Sequence, residues 1–217
     1  MTWRLNILLA AVALAAAGCV DPNDPTINSK AAHALGPWQD LFDGKSLAGW
    51  MPVQGKAHVA DGAMRLDGRA GKATVLLKAK PFTDGMVAFE VHRREGTDGP
   101  YTFGLRCGGG LAWRSIYVVC YPNQVGACQG TATRRQPQLA KTGKIIPTTC
   151  AEPWRVVLDG KRVEVYRFGR KVLDYKDPSP KPGTIAITAD RCVLDVRSVR
   201  YLHLTPPPAA TAPADGL

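Results

Sequence analysis

Along most of residues 64–204 apolar and polar side chains alternate with a period of two, and helical periodicity is nearly absent. Successive side chains of a strand point to opposite faces, so such a chain must pair its strands and cover one greasy face with another. Residues 86–92 read MVAFEVH, which sets Val87, Phe89 and Val91 on one face and Glu90 and His92 on the other. Residues 101–107 place Tyr101, Phe103, Leu105 and Cys107 together, opposite Thr102, Gly104 and Arg106. Residues 115–121 are apolar on both faces, as a central strand covered on both sides would be. Further on, residues 154–158 meet an Asp159-Gly160 turn, a strong hairpin signal because both residue types tolerate positive φ. Residues 161–167, 171–175, 184–188 and 193–204 follow as strands, divided by Phe168-Gly169-Arg170 and Lys181-Pro182-Gly183. Roughly a dozen strands joined by turns, without helices between them, predict an all-β antiparallel β-sandwich.

Residues 124–149 break the rhythm: they are long, polar and carry Arg134-Arg135. They read as an excursion from the sandwich, either lining a groove or forming a surface insertion.

The two ends differ from the body. Arg4 precedes an apolar run over residues 5–17, broken only by Asn6, and Ala16-Ala17-Gly18-Cys19 follows. A short apolar run behind a basic start is a secretory signal, too short for a spanning helix. The small residues before Cys19 resemble a lipobox, which predicts cleavage after residue 18 and lipidation of the Cys19 thiol. Membrane attachment through that lipid is then expected, with localisation in the cell envelope. Val20, rather than an acid, favours the outer membrane by resemblance to the enteric sorting rule. Residues 19–36 read as a flexible tether. Residues 205–217, TPPPAATAPADGL, read as a disordered tail. The domain is expected to span residues 37–204.

The formal net charge is +10, and only Arg4 of the basic residues lies in the leader. A basic surface favours anionic partners in the envelope, but the basic residues are scattered and match no nucleic-acid reader, so nucleic acid is excluded. Beyond Cys19 the cysteines are Cys107, Cys120, Cys128, Cys150 and Cys192. Outside the cytoplasm they suggest disulfides, with Cys107–Cys120 and Cys128–Cys150 as the expected pairs and Cys192 in the core. No Cys/His spacing suits a metal, and no cofactor motif is present.

The segment LFDGKSLAGW at residues 41–50, continued by Val59-Ala60-Asp61-Gly62-Ala63-Met64, resembles the opening of the 3-keto-disaccharide hydrolase domain family. Phe89-Glu90-Val91, Phe103-Gly104-Leu105-Arg106, the hairpin over residues 154–165 and the strands over 183–200 are similar to its later strands. The resemblance implies a concanavalin-like jelly-roll with a concave sugar-binding face, acting on 3-keto-glycosides. One departure stands out: the family's acidic segment after the Arg strand corresponds here to residues 113–121, which hold no carboxylate.

Two functions therefore stay open, each with an oligosaccharide or glycan as partner. An enzyme would need positioned acid and base groups; Glu90 and His92, on one strand face, are its candidates. A non-catalytic binder would use Trp113, Tyr117 and Tyr121 as stacking faces, with Arg106 and Arg114 as hydrogen-bond donors. A purely structural envelope protein is the third reading.

Overall fold

A computed structural model describes residues 34–78, 81–95, 99–108, 115–130, 135–141 and 150–204. Fifteen strands run in chain order: β1 (Ala34–Asp40), β2 (Trp50–Gln54), β3 (Lys56–Ala60), β4 (Ala63–Asp67), β5 (Lys72–Leu77), β6 (Gly85–Glu95), β7 (Tyr101–Cys107), β8 (Ser115–Cys120), β9 (Val125–Gly130), β10 (Arg135–Lys141), β11 (Glu152–Asp159), β12 (Arg162–Arg167), β13 (Arg170–Lys176), β14 (Thr184–Asp190) and β15 (Val193–Leu204). They form two antiparallel sheets. The eight-stranded sheet has the order β13-β12-β11-β6-β15-β4-β3, with β1 pairing the far half of β15. The seven-stranded sheet has the order β10-β9-β8-β7-β14-β5-β2. The fold is an all-β sandwich, as the alternation requires.

The inward faces meet in one core. Met64, Leu66, Val87, Phe89, Val91, Trp154, Val156, Leu158, Val163 and Val165 come from the larger sheet. Val75, Tyr101, Phe103, Leu105, Ile116, Val118, Ile185 and Ile187 come from the smaller one. At the centre the Phe89 and Phe103 rings stack at 4.2 Å, with Trp154 edge-on to Phe103 at 5.9 Å.

Each end of the sandwich is closed by a buried charge cluster. At one, Glu152 Oε2 accepts from the Tyr101 hydroxyl (2.7 Å), the Trp154 indole (3.1 Å) and Arg167 Nε (3.1 Å). At the other, Arg106 donates to Thr83 O (2.8 Å), Asp177 Oδ2 (2.8 Å), Asp84 Oδ1 (3.1 Å) and Gly160 O (2.7 Å). One guanidinium thus ties together the β5–β6 loop, the two-residue β11–β12 turn and the β13–β14 loop.

Three expectations are corrected. Residues 124–149 are not a mere excursion, since β9 and β10 extend the smaller sheet and β9 buries Val125 and Ala127 in the core. Cys107 does not share a face with Tyr101, Phe103 and Leu105. Arg106 adopts φ +53° and the β7–β14 register shifts beside it, a bulge that turns Cys107 outward beside Leu76 and Ala186. The third correction follows from this: Cys120 points into the core and Cys107 away from it, so they cannot bond. No disulfide is formed among the described residues. The Cys128–Cys150 pair is absent as well, because Cys128 is buried on the outward face of β9 while Cys150 is exposed ahead of β11 in the other sheet. Cys192 is buried in the core, as expected.

Removing the Arg106 guanidinium would leave Asp177, itself 2% exposed, as a buried carboxylate without its countercharge. Arg106→Ala is expected to cost about 3–5 kcal/mol in urea unfolding. A loss below about 1 kcal/mol, the range of an exposed ion pair, would contradict the role given to Arg106.

Candidate functional site

Among the described residues, the outward face of the seven-stranded sheet combines small, hydroxyl-bearing and tyrosine side chains with the apolar Leu76 and Val119. Strand register lays them out in rows. In one, Thr74, Thr188 and Thr102 are consecutive cross-strand partners, followed by Val119 and Gly126. In the next, Leu76, Ala186, Gly104, Tyr117 and Cys128 are partners in turn. The Thr74 and Thr188 hydroxyls lie 3.0 Å apart. A Cβ at Gly104 would sit 2.8 Å from the Cys107 sulfur and 3.1 Å from a Tyr117 ring carbon, so both lean across that glycine. Any larger residue would displace them. Tyr121, just past β8, packs with Tyr117, Val119 and Cys128.

Charge is scarce among the described side chains of this face. Its single carboxylate among the described side chains is Asp190, at the margin, 3.9 Å from Lys72 Nζ and 3.5 Å from Arg191 Nε. Burial pushes the Cys107 thiol up to about 11, against hydrogen bonds from Ser115 and the Ala186 backbone that pull it down. That thiol is a poor nucleophile at neutral pH. Among the described residues no group of three or more His, Cys, Asp or Glu side chains converges.

The sequence-predicted residues separate. Tyr117 and Tyr121 share this outward face. Arg106 does not reach it, being spent on the loop contacts above. Trp113, Arg114 and Cys19 lie outside the described residues. Glu90 and His92 lie on the outward face of the other sheet. There Glu90 sits between Pro153 and Ser198, and His92 opposes Asp195, which Arg65 holds at 2.7 Å. Sheets in such a sandwich pack about 10 Å apart, so one ligand cannot touch Glu90 and Tyr117 together. Asp190 and the threonine row escaped sequence reading, since threonines on a strand and an Asp at its end carry no local mark.

Residues 37–201 match the family described as the 3-keto-alpha-glucoside-1,2-lyase-like domain. The chain belongs to this family. Its opening LFDGKSLAGW closes on itself as a turn. Asp43 Oδ1 accepts from the Lys45 and Ser46 amides at 2.8 Å each. Gly44 and Gly49 take φ of +72° and +79°, and the Trp50 indole donates to Leu41 O at 2.7 Å. No curated protein matches the chain significantly. Among solved structures, the carbohydrate-binding module CBM66 from Bacillus subtilis aligns with TM-score 0.63 and 15% identity, covering 70% of this chain and 93% of that one. A Bacillus subtilis protein of unknown function with a galectin-like fold aligns with TM-score 0.65 and 10% identity, over 80% and 98%. The exoplasmic/lumenal domain of VIP36, in its Ca2+/Man3GlcNAc-bound form, aligns with TM-score 0.62 and 12% identity, over 81% and 93%. At these identities the likeness is one of fold: a galectin- and concanavalin-like jelly-roll.

Burial also pushes the Tyr201 phenol up to about 12. For both groups the fold favours the protonated form, over unfolded values of 9.0 and 10.0. The stability they contribute is complete below the unfolded values and is lost as pH rises through the folded ones. The thermal midpoint is therefore expected to hold up to about pH 9 and fall between there and about pH 12. A midpoint flat across that window would contradict the burial of these groups.

Proposed function

We propose that the chain binds a glycoside, of the 3-keto class that the family name implies, on the outward face of its seven-stranded sheet. The observation that carries this reading is the face itself: a floor of threonines, glycine and alanine beside Tyr117 and Tyr121. Thr74, Thr102, Thr188, Ala186 and Tyr117 form a closely packed floor, each at most 9% exposed; its hydroxyls are the donors and acceptors a sugar would use, and the tyrosines bring apolar area with a polar tip. The sugar-binding proteins among the structural neighbours support the choice of ligand class. Two convergent carboxyls, the usual means of glycoside hydrolysis, are not found on the described part of this face.

A second reading, turnover, is favoured by Asp190. Elimination across C1–C2 of a 3-keto-glycoside needs one base to take the C2 proton, made acidic by the adjacent ketone. The C1–O bond then breaks, the leaving oxygen takes up a proton, and an unsaturated ketone remains. Asp190 beside Lys72 supplies one carboxylate, which is all that step asks of the base.

Calorimetry of the mature chain with a 3-keto-disaccharide is expected to show binding in the micromolar to millimolar range. Tyr121→Ala should weaken it at least about fivefold, a loss of roughly 1 kcal/mol. Ultraviolet absorbance of the mixture separates the readings. Growth of an enone band that Asp190→Asn abolishes would establish turnover, and a flat trace with binding intact would establish a binder. No heat with keto or unoxidised sugars would remove both.

The chain is further proposed to be held at a membrane by acyl chains on Cys19, since each buried CH2 contributes about 0.8 kcal/mol. Metabolic labelling with an alkyne fatty acid should mark the wild-type chain and leave Cys19→Ala unmarked and soluble after lysis. Equal labelling of the two would refute the anchor.

A further inference from the structure

The end of the sandwich at which Glu152 is buried carries three described turns: residues 68–71 between β4 and β5, Phe168-Gly169 between β12 and β13, and Arg191-Cys192 between β14 and β15. Their outermost side chains are basic or aromatic. Arg69 and Arg191 have 61% and 71% of their side chains exposed, and Phe168 is 49% exposed. Met51 is the only other exposed large apolar residue among the described ones. Lys56 and Lys72 begin β3 and β5 at the same end, and Arg170 follows the Phe168 turn. Against these cations the described side chains set Asp67 and Asp190, which are 23% and 19% exposed. Glu152 is buried and held by Arg167 at 3.0 Å.

The residues chosen for these turns are unusual. Asp61-Gly62, between β3 and β4, and Phe168-Gly169 share one backbone form, with φ of +53° and +73° in the first and +49° and +72° in the second. Asp-Gly is an ordinary occupant of such a turn, because Asp tolerates the left-handed region and a bulky side chain does not. Arg191, at φ +55°, departs in the same way. Phenylalanine and arginine are thus held outward in a conformation that Asn or Gly adopts with less strain, and strain that persists points to a use for the side chain. The Phe168 ring lies 5.3 Å from the Arg167 guanidinium, which itself lies 5.6 Å from the Trp154 ring. The aromatic therefore stands on a fixed base with half its surface in water.

An exposed apolar ring flanked by cations is the complement of an anionic lipid surface. Guanidinium and ammonium groups lie at the phosphates while the ring enters the acyl boundary, and neither contact needs a pocket. A soluble polyanion would use the cations and leave Phe168 in water. The pairs of Arg69 with Asp67 (2.8 Å) and of Arg191 with Asp190 (3.5 Å) are surface ion pairs, weak enough to exchange for phosphate. From β12 to β15 is three strand spacings, about 14 Å, so the Phe168 and Arg191 tips are close enough to meet one flat surface together. We infer that this end of the sandwich docks on an anionic membrane, with Phe168 inserted between headgroups and Arg69, Arg170 and Arg191 on the phosphates. The site is separate from the glycoside face and needs no acyl chain.

The test uses residues 20–217, which keep every described strand and lack the apolar leader and the Cys19 thiol. At low salt this chain is expected to bind vesicles of phosphatidylcholine with about one third phosphatidylglycerol at least about tenfold more tightly than phosphatidylcholine alone. Phe168→Asn should weaken that binding at least about fivefold with no change of charge, and Arg191→Asn about fivefold. Asn suits the left-handed turn, so both thermal midpoints are expected to hold while docking is lost. Phe168→Trp should keep the binding, and brominated acyl chains should quench its emission beyond the wild-type level, a readout independent of the Asn variants. Equal binding to the two kinds of vesicle, no added quenching, or anionic vesicles bound equally by Phe168→Asn would overturn the inference. So would a lowered midpoint with docking intact, which would make Phe168 a mere cover for Arg167. Dextran sulfate bound as tightly as the anionic vesicles, and equally by wild type and Phe168→Asn, would assign this end to a soluble polyanion instead.

Discussion

The contact between two apolar sheet faces, centred on the stacked Phe89 and Phe103 rings and the Trp154 edge, is the interaction on which every other feature rests. Burying a side chain of this size stabilises by roughly 1.5–3 kcal/mol, and each strand contributes several. The same contact dictates the polar architecture. Once β6, β11 and β12 face β7, β8 and β14, charged groups at the strand ends are carried into low dielectric and must be paired. Glu152 with Arg167 and Tyr101 answers that need at one end, and Arg106 with Asp84 and Asp177 at the other.

The bulge at Arg106 links the fold to the candidate site. A regular β7 would have left Cys107 in the core. With φ of +53° at Arg106, one residue is taken out of the alternation, its guanidinium reaches three loops, and Cys107 emerges over Gly104 beside Tyr117. Gly183 fits the same geometry, since a Cβ there would lie 2.2 Å from the Arg106 carbonyl carbon. The end of β7 and the start of β14 are therefore interlocked, and together they hold the floor on which the threonine row stands.

The alternation from Met64 onward is set by solvent and core, so it was legible residue by residue, and the family opening at residues 41–50 was legible as a motif. What the alternation cannot reveal is where it stops. Arginine is not a usual residue for positive φ, so nothing in FGLRC announces the bulge, and the Cys107–Cys120 pairing failed on that one residue. Residues 124–149 looked like a loop because β10 is short and polar at the sheet edge, where only one neighbour demands apolar character, and the β9 strand inside it is short and rich in glycine and small residues. Glu90 and His92 were rightly placed on one face. Which sheet bore that face is a question of topology, decided by β6 lying between β11 and β15. Asp190 and the buried Glu152 gave no signal, because a carboxylate at a strand end reads as a turn residue whether it is paired, buried or open.

Both outward faces of the sandwich now have distinct chemistry: hydroxyls and tyrosines on one, guanidinium groups and apolar side chains on the other. The central claim is that the glycoside goes to the first. Methyl NMR of the protein during titration with a 3-keto-disaccharide tests it most directly, through the resonances of Thr74, Thr102, Thr188, Ala186 and Val119 against those of Met86, Ala88 and Leu202. Shifts confined to the first set are predicted; shifts confined to the second would place the ligand on the opposite sheet and contradict the account.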